Sequence, residues 1–172
     1  AIMRFLLISL ISFPLWAANN SVDIDLKGNS SIYIDQIGSG NTAQVWCGLS
    51  NGAYATHNCS SATIDIDQNG EGNLAKAYSQ YTNHAGNEYT IEQTGDNNVG
   101  YIDADENDNE STITQTGDNM QGEIFMSGND NVYTISQSGT GDHYSKFYAF
   151  GDDSAWTTTQ SGSGNHNAYI KS

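Results

Sequence analysis

The chain repeats a short run in which apolar and polar residues alternate, and each run ends at a glutamine. In the run that ends at Gln115, Ser111 and Ile113 occupy the positions of one face, and Thr112 and Thr114 occupy those of the other. Most copies place an isoleucine two residues before the glutamine: Ile34, Ile66, Ile91, Ile113 and Ile135. Period-two alternation is typical of a strand with one buried face, and β-branched residues suit a pleated surface. The pattern therefore predicts strands rather than helices.

The glutamines give the repeat its period. They are Gln36, Gln68, Gln93, Gln115, Gln137 and Gln160, and the spacings between them are 32, 25, 22, 22 and 23 residues. A near-constant period of this size is typical of stacked repeats, in which each unit buries its apolar face against its neighbours. A side-chain amide carries both donors and an acceptor, so stacked copies can bond one another. We therefore expect a column of glutamines, bonded from repeat to repeat as in cross-β stacks.

A turn and a second, shorter strand follow each glutamine. Gly and Asn adopt positive φ readily, so their recurrence after every glutamine predicts a tight turn. The predicted turn residues are Gly38, Gly70, Gly95, Gly117, Gly139 and Gly162, with Asn41, Asn73, Asn98 and Asn165. The predicted second strands contain residues 43–45, 75–77, 100–102, 122–124 and 168–170, and in the fifth copy, where the frame shifts, residues 144–150.

These elements predict an all-β fold, a β-solenoid of six stacked strand-turn-strand units. We call each unit a rung. Strands of neighbouring rungs are expected to run parallel, and at the usual strand spacing six rungs are about 29 Å tall. The glutamine column is expected inside the solenoid, and the columns of Asp and Thr outside it.

The chain divides into three predicted segments. Residues 1–18 contain Arg4, an apolar run and two final alanines, which together indicate a secretory signal peptide. Residues 19–29 are predicted to be a linker or cap, in which Val22 and Ile24 could form part of an edge strand. Residues 30–172 form the predicted solenoid domain. Its last stretch, residues 154–172, has no proline or helical pattern that would cap it, so we expect it to expose strand edges to another copy.

The charge narrows the choice of partners. The formal net charge is −15, with 20 acidic and 5 basic side chains, which argues against nucleic acid or an anionic membrane as a partner. Asp35, Asp67 and Glu92 occupy one outward position on three successive rungs. Their stacked charges should repel, so assembly is expected to speed up as pH falls or salt rises.

The two cysteines, Cys47 and Cys59, are predicted to form a disulfide, because an isolated pair in an exported chain is most simply bonded. Neither a metal site nor a cofactor is predicted. The acidic run 103–110 begins like a calcium loop, but it lacks the glycine and the final glutamate that such a loop needs. The four histidines have no ligand spacing, and no catalytic motif occurs, so the chain is not predicted to be an enzyme.

The frame Ser/Ala/Asn-x5-Gln-x-Gly-x-(Gly/Asn)-(Asn/Asp) resembles the curlin repeat of bacterial curli fibres. Its copies are residues 30–41, 62–73, 87–98, 109–120, 131–142 and 154–165. The resemblance implies a secreted subunit that polymerises with itself into a functional amyloid fibre on the cell surface, for biofilm matrix and adhesion. It also implies a nucleator subunit and outer-membrane secretion machinery as partners.

The chain departs from the family where the second strand normally carries another glutamine. That register holds Cys47, Ser79, Ala104, Met126 and Tyr148. Whether the chain is a major, minor or nucleating subunit therefore stays open at this point.

A second reading is a monomeric, Thr-rich β-solenoid that binds a surface, as ice-binding or adhesin-like solenoids do. Thr112 with Thr114, and Thr157 with Thr159, are expected to point outward in stacked pairs. Glu92 interrupts this array in the third rung, so it is incomplete. A solenoid enzyme acting on polysaccharides is a third reading, but the chain offers no carboxylate pair that stands apart from the repeat.

Overall fold

The structure is a computed structural model that describes residues 19–25, 29–46, 59–79, 84–104 and 106–171. The predicted signal peptide lies outside these ranges. Cys47 also lies outside them, and so does the predicted disulfide that it would form. The described residues form β-strands, turns and bridges, with no helix among them. Correspondingly, this part of the chain offers no helix long and apolar enough to cross a membrane.

Fourteen strands follow one another along the described chain. They are β1 (Ser21–Ile24), β2 (Ser31–Ser39), β3 (Thr42–Trp46), β4 (Cys59–Ser60), β5 (Thr63–Glu71), β6 (Leu74–Tyr78), β7 (His84–Ala85), β8 (Glu88–Thr94), β9 (Val99–Asp103), β10 (Glu110–Thr116), β11 (Val132–Thr140), β12 (Tyr144–Lys146), β13 (Ala155–Ser163) and β14 (Asn167–Tyr169).

Two parallel sheets stack most of these strands in chain order, and β4 pairs with β7 in a separate short parallel ladder. The first sheet contains β2, β5, β8, β10, β11 and β13, and each strand pairs with the next in register. The second sheet contains β1, β3, β6 and β9, and single bridges at Gln121 and Met126 connect it towards β12 and β14. Each strand of the first sheet, its turn and the segment that follows it make one rung. The predicted all-β solenoid of six parallel rungs is confirmed.

In one column of the core between the sheets, large residues of the first sheet face small residues of the second. The isoleucines of the first sheet form a buried column against Ala43, Ala75, Gly100 and Gly122 of the second. A Cβ added at Gly100 would lie 2.8 Å from Cγ2 of Ile91, which is closer than real contacts. The small residues are therefore what allows the sheets to approach each other.

Three details of the second strands differ from the prediction. Residues 122–124 form no regular strand, because only Gln121 and Met126 bridge there and Phe125 has a φ of 53°. In the fifth rung the strand ends at Lys146 rather than at residue 150. The predicted frame shift in the fifth rung is one extra residue in the turn after the ladder glutamine, and the sixth rung has the same extra residue. Gln121 aligns with Tyr144, and Tyr144 aligns with Asn167, although the last two lie one residue further from their ladder glutamines.

The extra residue changes which side chain enters the turn. In the first three rungs Asn41, Asn73 and Asn98 are buried there. In the last two rungs His143 and His166 take that position, and their rings stack with centroids 4.6 Å apart. Asn165, predicted to continue the asparagines, is instead exposed in the turn.

Candidate functional site: buried amide ladders

The six glutamines form one hydrogen-bonded ladder through the interior. Nε2 of each glutamine donates to Oε1 of the glutamine in the next rung. The distances are 2.8 Å for Gln36 to Gln68, 2.8 Å for Gln68 to Gln93, 2.9 Å for Gln93 to Gln115, 2.9 Å for Gln115 to Gln137 and 2.8 Å for Gln137 to Gln160. All six side chains are buried. The bonds all run in one direction, so the ladder is polar.

Each glutamine also ties the two sheets together. The second hydrogen on Nε2 is donated to a backbone carbonyl at the start of a second-sheet segment in the preceding rung. Gln115 donates to the Val99 carbonyl at 3.0 Å, and Gln137 donates to the Gln121 carbonyl at 3.0 Å. The amide is therefore fully used in the middle rungs, and an apolar side chain of similar size could replace none of these bonds.

A second ladder lies in the turn that follows the glutamines. Oδ1 of Asn41 accepts from the backbone N–H of Asn73 at 3.0 Å, and Oδ1 of Asn73 accepts from that of Asn98 at 2.8 Å. Their Nδ2 groups donate to the carbonyls of Gly70 and Gly95, at 2.9 Å and 2.7 Å. The three asparagines thus hold successive turns in register, a role beyond the turn formation expected from the sequence.

A third ladder lies at the opposite turn, and the sequence reasoning missed it. Oδ1 of Asn87 accepts from the backbone N–H of Asn109 at 2.9 Å, and Oδ1 of Asn109 accepts from that of Asn131 at 3.0 Å. All three side chains are buried. The signal was present, because an asparagine opens the frame in these three rungs. A polar residue at the start of a strand does not by itself indicate burial, however, so the pattern alone predicts no ladder there.

The turn glycines make the close stacking possible. At Gly95 the backbone φ is +112°, and a Cβ added there would overlap the carbonyl oxygen of Gly117 in the next rung. Gly70 meets Gly95, and Gly38 meets Gly70, in the same way. Glycine is therefore required at this turn position both for its backbone conformation and for the space between rungs.

Acidic side chains stack on the outer face of the first sheet, as the sequence predicted. Asp35 aligns with Asp67, and Asp67 aligns with Glu92. Partial burial raises the pKa of Asp67 above its usual value, and the nearby charges of Asp35, Asp65 and Glu92 raise it further. The pKa of Asp65 is raised by burial and then by Glu92. The N-terminal half of this face therefore carries mutually repelling charges.

Hydroxyl side chains cover the rest of the same face. Thr90, Thr112, Thr134 and Thr157 align in one column. Beside it Glu92 aligns with the stack of Thr114, Ser136 and Thr159. The outward array of threonines expected for a surface-binding solenoid is therefore present in the last three rungs. In the first three rungs acidic side chains replace part of it.

An aromatic column covers the outer face of the second sheet. Neighbouring rings lie with centroids 4.3 to 5.8 Å apart along Trp46, Tyr78, Tyr101, Phe125, Tyr148 and Tyr169. Lys146 lies over this column, with Nζ 4.8 Å from the Tyr148 ring centroid, and it pairs with Glu123 at 2.8 Å.

The second glutamine of the curlin repeat has no counterpart in the second strands of this chain. In the fifth rung the extra turn residue puts the buried Ala149, not Tyr148, in the register of Met126.

The described residues hold no group of three or more His, Cys, Asp or Glu that could bind a metal ion. Among them the buried polar side chains that recur from rung to rung are mostly amides, and their hydrogen bonds connect rung to rung. What this arrangement can do is stack identical units and continue the stack.

Comparisons with known proteins agree with this geometry. The family model described as "Curlin associated repeat" matches residues 85–117, which contain the third rung's strands and the first strand of the fourth. No curated protein matches the chain. No solved structure matches it either. The matched stretch includes Gln93 and Gln115 with the ladder bond between them, and the same register recurs through all six rungs. Residues 85–117 of the chain are therefore similar to the curlin-associated repeat.

Proposed function

We propose that the protein is a secreted structural subunit that assembles with itself into curli-like amyloid fibres. The observation that carries this proposal is the glutamine ladder, which passes through all six rungs with bonds in a single direction. A polar ladder in a parallel stack can be extended by a further copy in the same sense, because each new rung repeats the donors and acceptors of the last. Such head-to-tail addition does not close on itself and produces a filament.

The proposed setting is the outside of a bacterial cell, where the fibre would serve as biofilm matrix and in adhesion. Secretion through outer-membrane machinery and nucleation by a second subunit belong to this proposal. The acidic column supports it, because like charges on the outer face slow the approach of further copies while the subunit is being exported. A structural role, rather than catalysis, fits a chain whose described polar groups are mostly used in stacking.

The second candidate is a monomeric solenoid that binds a surface through its Thr-covered face. The aligned columns of Thr90, Thr112, Thr134 and Thr157 favour it. The acids of the first three rungs interrupt a flat hydroxyl surface, and this candidate assigns no role to the buried glutamine ladder. We therefore place it second.

Incubation of the purified chain from residue 19 onward separates the two candidates. The proposal predicts fibres by electron microscopy, thioflavin fluorescence that rises after a lag, and loss of the monomer from the sedimentation profile. A profile that stays monomeric over days, including at high salt where charge repulsion is screened, would contradict it and favour the second candidate.

A further inference from the structure

The two sheets have different lengths at the N-terminal end of the solenoid. Before the first full rung the second sheet has one more strand, β1, which pairs with β3 over four residues. Among the described residues no strand pairs with the corresponding free edge of β2. The solenoid therefore begins with half a rung, and no described strand pairs with the outer edge of the nine-residue β2, where Asn20 Nδ2 donates to the carbonyls of Gln36 and Gly38 at 3.4 Å and 3.2 Å.

The glutamine ladder is unfinished at this end and at the other. Oε1 of Gln36 is buried and has no hydrogen-bond partner. At the opposite end Nε2 of Gln160 donates only to the Tyr144 carbonyl, at 2.8 Å, whereas Nε2 of each other ladder glutamine donates twice. An acceptor without a donor and a donor hydrogen without an acceptor therefore lie at the two ends of one column. An unsatisfied buried group is costly, so each end favours a partner of the opposite kind.

β1 and β14 occupy equivalent positions in their rungs. Ser21 at the start of β1 donates its backbone N–H to the Asn41 carbonyl, as Tyr144 at the start of β12 donates to the His166 carbonyl. Tyr144 in turn aligns with Asn167, so the start of β1 corresponds to the start of β14. Asn20 takes the turn position before β1, where its Oδ1 accepts from the N–H of Asn41 at 2.9 Å. His166 takes that position before β14. β1 therefore lies where the second-sheet strand of a preceding rung would lie, and no described strand of the first sheet accompanies it.

From these relationships we propose that the N-terminal end is the docking surface for the β13–β14 rung of a second copy, and that β1 blocks it. β1 lies where β14 of that copy must lie for β13 to pair with β2, so the two copies join flush only after β1 is displaced. This inference rests on the proposed function, because it names the surfaces through which the fibre grows.

The exchange replaces a short strand by a full rung. β1 contributes four paired residues and leaves Ile24 39% exposed. β13 would bring nine residues to β2, as it does to β11, and would place Gln160 opposite Gln36. A newly ordered rung therefore offers more backbone hydrogen bonds than β1 gives up.

The side chains at the proposed junction also match. Tyr169, 60% exposed, would reach Trp46 as Tyr101 reaches Phe125 within the chain, where the ring centroids are 5.0 Å apart. On the other sheet Thr159 would align with Asp35, so the junction avoids the carboxylate pairing found between the first rungs. Asp23 of β1, by contrast, takes the position that Tyr169 would fill.

A proline at Asp23 tests the displacement. The alternation of a parallel ladder turns the N–H of Asp23 towards β3, and proline has no N–H to donate. Asp23→Asn is the matched control, because it removes the same charge and keeps the donor. Loss of one net hydrogen bond raises the fraction of chains with a displaced β1 by about two- to tenfold. The lag of Asp23→Pro should therefore be several-fold shorter than that of Asp23→Asn at equal protein concentration.

A synthetic peptide of residues 19–25 provides a second measurement on the unsubstituted chain. Added in excess, it should occupy the β1 position on displaced chains and lengthen the lag, whereas the same peptide with proline at Asp23 should not. Fibres with equal lags for Asp23→Pro and Asp23→Asn, or a peptide without effect, would overturn the docking proposal alone. Failure of every variant to form fibres would overturn the proposed function and this docking surface together.

Discussion

Nε2 of Gln93 donates to Oε1 of Gln115 at 2.9 Å, in the middle of a column where both side chains are buried. The same Gln115 amide donates to Gln137 and to the Val99 carbonyl. One side chain therefore joins three successive rungs and both sheets. We therefore expect removal of this side chain to destabilise the stack more than removal of an outward-facing one.

Replacement of Gln115 by leucine should destabilise the folded chain strongly. Leucine keeps the volume, but it leaves Gln93 without its acceptor and Gln137 without its donor. Each orphaned buried group costs about 1–3 kcal/mol, so we expect a loss of about 3 kcal/mol or more in the free energy of unfolding. Urea unfolding followed by circular dichroism measures it. Gln121→Leu is the control, because that side chain is exposed and bonds only Glu123, and it should change stability by less than about 0.5 kcal/mol. Equal losses for the two variants would show that the ladder contributes little.

The free energy of unfolding should be higher in mild acid than at neutral pH, because protonation removes the repulsion between the stacked carboxylates. The pKa of Asp67 in the folded chain lies above its ordinary 3.8, so the folded state binds the proton more readily than the unfolded state. Stability should therefore rise as pH falls through the raised pKa, with the gain complete below about 4, and the repulsion should act in full at neutral pH.

Asp67→Asn should reproduce this gain without a change of pH. It removes a stacked charge, and each neighbouring pair at strand spacing costs up to about 1 kcal/mol in water before salt screens it. We expect higher stability and a shorter lag at pH 7, with a weaker response to acid and to sodium chloride. Asp142→Asn removes one charge from an exposed turn and serves as the control. A lag that is indifferent to pH, salt and Asp67→Asn would exclude charge repulsion as a brake on assembly.

Gly95→Ala should be far more damaging than alanine at Gly151, which stacks on the turn of Gly128 but has open space on its own Cβ side. At Gly95 the positive φ and the overlap with the Gly117 carbonyl together should cost about 2 kcal/mol or more. At Gly151 an added Cβ meets nothing within 4 Å, so Gly151→Ala should be tolerated. Thermal unfolding of the two variants side by side measures the difference, and a Gly95→Ala variant as stable as Gly151→Ala would refute the stacked-glycine account.

The disulfide between Cys47 and Cys59 remains a prediction from the sequence. A bond that closes a loop of about a dozen residues should stabilise the chain by on the order of 3 kcal/mol in the chain-entropy model. Thiol titration of the denatured, unreduced protein should find no free cysteine. Detection of two thiols per chain would refute the bond.

The glutamine strands and their turns were predictable from the sequence, whereas the ends of the stack and the contacts that depend on a neighbouring rung were not. A glutamine at fixed distance after Ile91 or Ile113 defines the strand, its buried face and its register, because period two and the turn glycine are local signals. The ends depend on the rest of the stack. Val22 and Ile24 alternate as any strand does, but without an anchoring glutamine nothing local indicated which sheet β1 joins.

The extra turn residue in the last two rungs was harder to place. Both Asn165 and His166 are compatible with a turn, and the choice between them depends on which one aligns with His143 in the neighbouring rung. The ladder of Asn87, Asn109 and Asn131 was missed for a similar reason. A buried asparagine can join a ladder only when another asparagine lies one rung away, and that distance is set by the folded stack.

Fibre diffraction is the most direct test of the central claim, that copies of this chain stack along the solenoid axis and continue its ladders. Aligned fibres grown from the chain beginning at residue 19 should give a meridional reflection near 4.8 Å, because strands perpendicular to the fibre axis repeat at the rung spacing. Fibres whose 4.8 Å reflection lies on the equator, with strands stacked across the fibre instead of along it, would contradict the account.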